Sequence, residues 1–359
     1  MIGHGRLGVL ALVGAAALAL ASLAAPALTQ PPETRSVAYR TRTMGTYAQV
    51  VIVTGDSVAT AAIAVEAQAA LMRVDSLMSN WTQTSEVARI NRVAARETTQ
   101  VEPEVARVLD MALRCWREGE RTFDITVEPL VRAWGFIGGP KRVPSDEAVR
   151  TAFASVGSQR LEWDSTRRTL HFSQPGVKID LGGIAKGYGV DAAAARLSAR
   201  GVVNALVDLS GNMFALGAPP GAESWRIGVR DPRDRVPSLG RVPLTGRGIA
   251  TSGKYEQFVA ANGKTYGHII DPRDGQPADG VIAVTVLAPT AMEADAWGKV
   301  FFVLGPRDAK RKARERTDLD VMFVSPGRAA PDTLWIESTL QNRFVLEPSA
   351  RGLIVVEYF

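Results

Sequence analysis

The sequence predicts an α+β fold of mixed strands and helices, held in a single compact domain over residues 36–359. Three observations predict it. Helix-period and strand-period stretches are mixed along the chain without a regular βαβ rhythm. The part that begins at Val202 is mainly β in pattern. No low-complexity linker or strong internal repeat divides the 359 residues. That length buries a sizeable core without disulfides, and the one cysteine, Cys115, excludes an intramolecular bridge. Cys115 stands beside Leu113 and Trp116 and reads as a buried apolar filler.

The elements follow in order. Residues 7–27 are almost entirely Leu, Ala, Val and Gly, follow Arg6, and end on an A-x-A-like pair, Ala25 and Ala27. Residues 1–29 therefore read as a cleaved signal peptide, with an uncleaved signal anchor as the alternative. No cysteine stands near the cleavage point, so a lipoprotein is not expected. The mature protein is expected to be exported, in the periplasm or on the outer face of the inner membrane.

Residues 36–53 alternate as a strand, broken by Met44-Gly45-Thr46. Residues 58–78 predict a long amphipathic helix, with Ala62, Val65, Ala69, Met72 and Leu77 near helical spacing. Ser85 suits the N-cap of a short helix over 85–91, and a stronger helix over 104–119 stops at Gly119. A loop or short strand follows at 122–126, a turn at 127–134, and two hairpin strands within 161–178. Residues 185–200 form an Ala-rich helix closed by Gly201. Strands are predicted at 204–208, 213–216, 225–230, 248–251, 267–270 and 282–288. A helix over 292–304 ends at Gly305, and strands at 321–325 and 353–358 complete the chain.

The formal charge of +5 is small for this length, and no Lys/Arg block has the footprint of a nucleic-acid partner. The densest basic run, 307–316, is interspersed with Asp308 and Glu315 and reads as a solvated helix face.

The chemistry concentrates in a few segments. Asp180-Leu-Gly-Gly-Ile-Ala-Lys-Gly-Tyr-Gly-Val-Asp191 sets glycines and Lys186 where a strand gives way to a helix. Backbone N–H groups, a helix N-terminus and a cation then meet at one point, which suits a phosphorylated ligand. A tight turn with Lys186 in solvent is the plainer alternative. Gly248-Ile-Ala-Thr-Ser-Gly253 is followed by Gly267-His-Ile-Ile-Asp-Pro272, where His268 is either a proton-transfer group or a structural imidazole. Asp295, near the head of a helix, is either a cap or a ligand for a hard cation. Phe123-Asp-Ile-Thr126 places a polar pair between apolar residues, and Trp81 stands on a loop where it could stack on a flat ring.

Taken together, these segments resemble the ApbE family of FAD:protein FMN transferases. The resemblance runs from about Tyr39 to about Gly305. It rests on Met44-Gly-Thr46, Ser85-Glu86 with Asn91, Phe123-Asp124, Trp134-Gly-Phe136, the Asp180 to Asp191 run, Gly211-Asn212, Ala250-Thr-Ser-Gly253, His268-Ile-Ile-Asp-Pro272 and Asp295-Ala296. It implies a Mg²⁺-dependent transfer that cleaves FAD, links FMN through its phosphate to a Thr or Ser of a partner flavoprotein, and releases AMP. It implies His268 as the group that assists deprotonation of the acceptor hydroxyl. Met44, Trp81, Thr122, Phe123, Asp124, Lys186 and Ile269 would line the FAD site, with Asp180 nearby and Thr251 and Ser252 on the phosphate-facing wall. The metal would be held by the Ala185 carbonyl and Asp295. The acceptor is expected to be a flavoprotein subunit outside the inner membrane, with membrane contact only through it or through an uncleaved signal.

The chain departs from the family pattern at Lys299, where a Thr normally completes the metal site. Smaller departures are Arg121-Thr122 for Gly-Ala, Trp81 for Tyr or Phe, and Ser210 for Gly. Two alternatives stay open: an FAD pyrophosphatase giving FMN and AMP, and a non-catalytic flavin-binding protein in which Lys299 has disabled the metal site.

Overall fold

The computed structural model describes residues 34–327 and 331–359; the expected signal peptide lies outside them. A hairpin of β1 (Arg35–Thr43) and β2 (Thr46–Thr54) leads into α1 (Ser57–Met78), α2 (Glu86–Val93), β3 (Thr99–Gln100) and α3 (Pro103–Glu118). Then come α4 (Glu128–Ala133), α5 (Asp146–Phe153) and the hairpin β4 (Leu161–Asp164) with β5 (Thr169–Phe172). Helix α6 (Ala185–Ala199) delivers the chain to β6 (Ala205–Leu209), β7 (Asn212–Leu216), β8 (Trp225–Val229), β9 (Gly240–Leu244) and β10 (Gly248–Gly253). The small hairpin β11 (Phe258–Ala261) and β12 (Lys264–Gly267) precedes β13 (Ala283–Ala288) and α7 (Ala291–Arg314). Strands β14 (Asp320–Ser325), β15 (Asp332–Ile336), β16 (Val345–Leu346) and β17 (Ile354–Tyr358) close the fold.

The described residues build a nine-stranded sheet in the order β1-β2-β6-β7-β10-β13-β14-β15-β17. Its alternation sorts side chains between two cores. Val50, Ile52, Ala250, Val286 and Val321 face the helices. Val51, Ile249, Leu287 and Met322 face the small sheet β16-β9-β8. Both faces of β13 and β14 are covered, so all twelve positions of the two strands are buried. The α+β expectation holds.

Most local expectations hold too. The Ser85 hydroxyl accepts from the Ala88 N–H at the start of α2, and Gly119 caps α3. Cys115 is fully buried, and desolvation pushes its thiol up to about 12, which makes it inert.

Three expectations need correction. In α1 the buried face is Ala64, Ala67, Leu71, Val74 and Leu77, whereas Ala62, Val65, Ala69 and Met72 are exposed. The helix carries apolar residues on both faces, so its period leaves the phase open; packing against α6 and β2 decides it. The strand expected at 267–270 ends at Gly267; beyond it Ile270 makes only an isolated bridge to Pro277, because Asp271-Pro272 turns the chain. Helix α7 breaks at Gly305 (φ 75°) as expected, but Pro306 starts a further helical segment to Arg314. Helix α5, capped by Ser145, was not anticipated, although Ser145-Asp-Glu147 is a readable start signal.

Candidate functional site

The site forms where the N-termini of α6 and α7 cross beneath β10. Asp180 shapes the entry: its Oδ1 accepts from the Gly182 N–H at 2.9 Å and from Asn80 Nδ2 at 3.1 Å. Burial pushes the Asp180 carboxyl above its ordinary value, and these two donors oppose the rise. Helix α6 then starts at Ala185 with no side-chain cap from its own N-terminal residues: the Ala185 N–H turns back to the Leu181 carbonyl, and the next N–H groups need other partners. One partner is Asp295 of α7, whose Oδ2 accepts from the Gly187 N–H at 3.0 Å. Gly187 must be glycine, since a Cβ there would lie 2.3 Å from the Ala291 carbonyl oxygen.

One pocket gathers Lys186, Thr251, Ser252, His268, Ile269 and Lys299, six positions singled out from sequence. Gly182, Ser210, Asn212, Gly253 and Glu256 complete its wall. Of these, Glu256 carried no sequence signal, because nothing local to it marks a loop carboxylate as a wall. Ser252 Oγ and Asn212 Oδ1 are buried without a hydrogen-bond partner among the described residues. Unpaired buried polar atoms are costly, and here both belong to residues that line the pocket, where a bound ligand would satisfy them. Thr251 is less free: its hydroxyl pairs with that of Thr285 at 2.8 Å.

His268 has a defined posture. Its Nδ1 lies 3.2 Å from the Gln257 carbonyl, so the proton sits on Nδ1 and Nε2 keeps its lone pair. Desolvation, reinforced by the charges of Lys299 and Lys186, pushes its pKa down to about 4. It is therefore neutral at pH 7.

Lys299 lies one helical turn after Asp295, and its Nζ donates to Asp295 Oδ1 and, at 3.0 Å, to the Asp295 carbonyl. Asp295 is almost wholly buried, while Lys299 reaches the pocket. Burial holds the Lys299 pKa below its ordinary value, against the pull of Asp295. This donor set does not fit a divalent cation. Both Asp295 oxygens are engaged, one by an ammonium and one by an N–H. A dication there would compete with that ammonium for the one carboxylate and be repelled by it. Ala185, the other expected metal contact, is buried in the first turn of α6.

The remaining candidates lie around the pocket. The ring of Phe123 packs against Gly183, where a Cβ would come within 3.2 Å of it. Met44 sits in the β1–β2 turn with φ 50°, its N–H donating to Asp75 Oδ2 at 2.7 Å. Trp81 is 68% exposed, next to the Asn80 that holds Asp180. Two of the expected lining residues are bonded into the loops around them. The Thr122 hydroxyl is buried against the Gly119 carbonyl at 2.6 Å. Asp124 accepts from the N–H and hydroxyl of both Thr126 and Ser158, at 2.6–2.8 Å. Each side chain satisfies a buried loop.

Two departures from the family pattern fall at strained backbone. Ser210 (φ 52°) and Arg121 (φ 60°) occupy left-handed conformations that glycine adopts without strain. A shallower and larger hollow bounded by Glu86, Arg89, Glu102 and Arg168 lies elsewhere, but its Arg89 is already paired with Glu86.

The ApbE family matches residues 44–323. A FAD:protein FMN transferase of Klebsiella pneumoniae is 33% identical over 88% of this chain and 92% of its own. One of Escherichia coli is 32% identical over 79% of this chain and 82% of its own. The solved structure of the flavin transferase ApbE from Vibrio cholerae superposes with a TM-score of 0.77 at 28% identity, covering 87% of this chain and all of that one.

Proposed function

This chain belongs to the ApbE family, and from that premise we propose that it is an FAD:protein FMN transferase. The observation that carries the reading is the pocket in which Lys186, Ser252, His268 and Lys299 meet at the glycine turn. Two cations and an unpaired buried hydroxyl suit the diphosphate of FAD. The exposed Trp81, next to the Asn80 that holds Asp180, offers aromatic surface for the flavin or adenine ring.

The reaction is a displacement at the FMN phosphorus. An acceptor Thr or Ser oxygen forms the new P–O bond. The bond from phosphorus to the bridging oxygen breaks, and its electron pair leaves with AMP. The hydroxyl proton passes to Nε2 of His268, which is neutral and so able to take it. Catalysis of this kind depends mainly on positioning and charge neutralisation. The Mg²⁺ dependence that the family resemblance implies finds no fitting donor set at Asp295, and no step here is assigned to a metal.

The acceptor we propose is a flavoprotein subunit with a Thr or Ser flavinylation site, met outside the inner membrane after export through residues 1–29. The test is to incubate the mature protein with FAD and such a domain, with MgCl₂ and separately with EDTA. The expected result is an FMN mass on the domain with AMP released. Free FMN and AMP without labelled protein would make it a pyrophosphatase. FAD retained without AMP would make it a flavin-binding protein.

A further inference from the structure

Resting on that reading, we propose that Lys299 is the resident cation of this site: its ammonium, held by Asp295, neutralises the diphosphate, and FAD binds without a divalent metal. Three observations carry it. The Lys299 Nζ bonds to both the carboxylate and the carbonyl of Asp295, so the side chain folds back along α7 into one fixed place. The second Asp295 oxygen is spent on the Gly187 N–H, which ties that place to the first turn of α6. Lys299 then shares the pocket wall with Lys186, His268 and Ser252, whose buried hydroxyl lacks a partner among the described residues and can donate to a phosphate oxygen.

The assignment gives Asp295 a different task from metal coordination. It is the positioning residue of an ammonium, and the ion pair it forms is internal to one helix turn. A side-chain amine is carried by the chain itself, whereas a bound ion must be acquired and is lost to chelators. The glycine turn lies against it: a Cβ at Gly183 would stand in ordinary contact, 3.9 Å, with Lys299 Cε.

The test uses the full chain, stripped with EDTA, with FAD as the probe and quenching of flavin fluorescence as the readout. Titration calorimetry of MgCl₂ into the FAD-free protein runs in parallel. For the parent, the expected result is the same FAD affinity, within about twofold, in EDTA and in MgCl₂, with no heat of Mg²⁺ binding. For Lys299→Thr, FAD affinity in EDTA should fall about tenfold or more and recover with MgCl₂; for Lys299→Met it should fall in both. A parent whose FAD affinity rises about tenfold with MgCl₂ would overturn the proposal while leaving the transferase reading intact. So would a Lys299→Thr variant that binds FAD in EDTA as the parent does. Absence of FAD binding in every arm would overturn the transferase reading and this inference with it. The parent measurement needs no variant, so a poorly folded substitution does not shield the proposal.

Discussion

Asp191 and Asp295 tie the same two helices together in opposite directions. Asp191 of α6 accepts from the Ala291 and Met292 N–H groups that open α7, at 2.8 and 2.9 Å. Asp295 of α7 accepts from the Gly187 N–H in the first turn of α6. Each helix start is thus capped by a carboxylate of the other, and the pocket floor is the crossing they create. Asp191→Ala is expected to cost about 1–2 kcal/mol in chemical denaturation and to weaken FAD binding, since it frees the helix that carries Lys299. Unchanged stability would show that the cross-capping contributes nothing.

His268 should set a low acid limb. Its folded pKa of about 4 lies below the ordinary 6.5, so the unfolded chain binds the proton first between those values. Its contribution to stability is complete above pH 6.5 and is lost as pH falls through 4. Transfer activity should likewise stay level down to about pH 5 and fall as His268 protonates near pH 4. A limb at pH 6.5 in the pH–rate profile would contradict this burial-driven shift.

Asp124 should behave as a folding residue. Removing a carboxylate that accepts four buried donors strands those groups, and Asp124→Ala is expected to cost about 3–5 kcal/mol. A variant of parental stability that has lost only FAD affinity would place this side chain on the ligand.

Trp81 should show the reverse. It is largely exposed, so Trp81→Ala is expected to leave the melting temperature within a degree or so and weaken FAD binding about tenfold, the worth of one stacked ring. Fluorescence titration with FAD measures it directly.

The two faces of α1 should respond unequally. Val65→Glu, on the exposed face, is expected to change stability by no more than about 0.5 kcal/mol, and Leu71→Ala, fully buried, to cost about 2–5 kcal/mol. Arg121→Gly is expected to raise stability by about 1 kcal/mol by relieving its left-handed backbone.

Much of this was legible in the amino-acid order. The cap at Ser85, the stop at Gly119, the break at Gly305 and the glycine turn before α6 all arise from interactions within a few residues, so a linear pattern records them. The four-residue spacing of Asp295 and Lys299 already put both side chains on one helix face. What the order left open was the direction in which ambiguous groups turn. Helix α1 is apolar on both sides, and only its packing on α6 and β2 chose Leu71 over Val65 for the core. Asp124 and Asp180 are both acids in loops beside helices, yet the distant Ser158 ties Asp124 into its loop while Asn80 holds Asp180 at the glycine turn. Lys299, His268 and Ser252 became one pocket only when α7, the loop after β12 and β10 were brought together. Short-range hydrogen bonding writes itself into sequence, whereas burial and the fate of each polar group are settled by contacts between residues far apart in the chain.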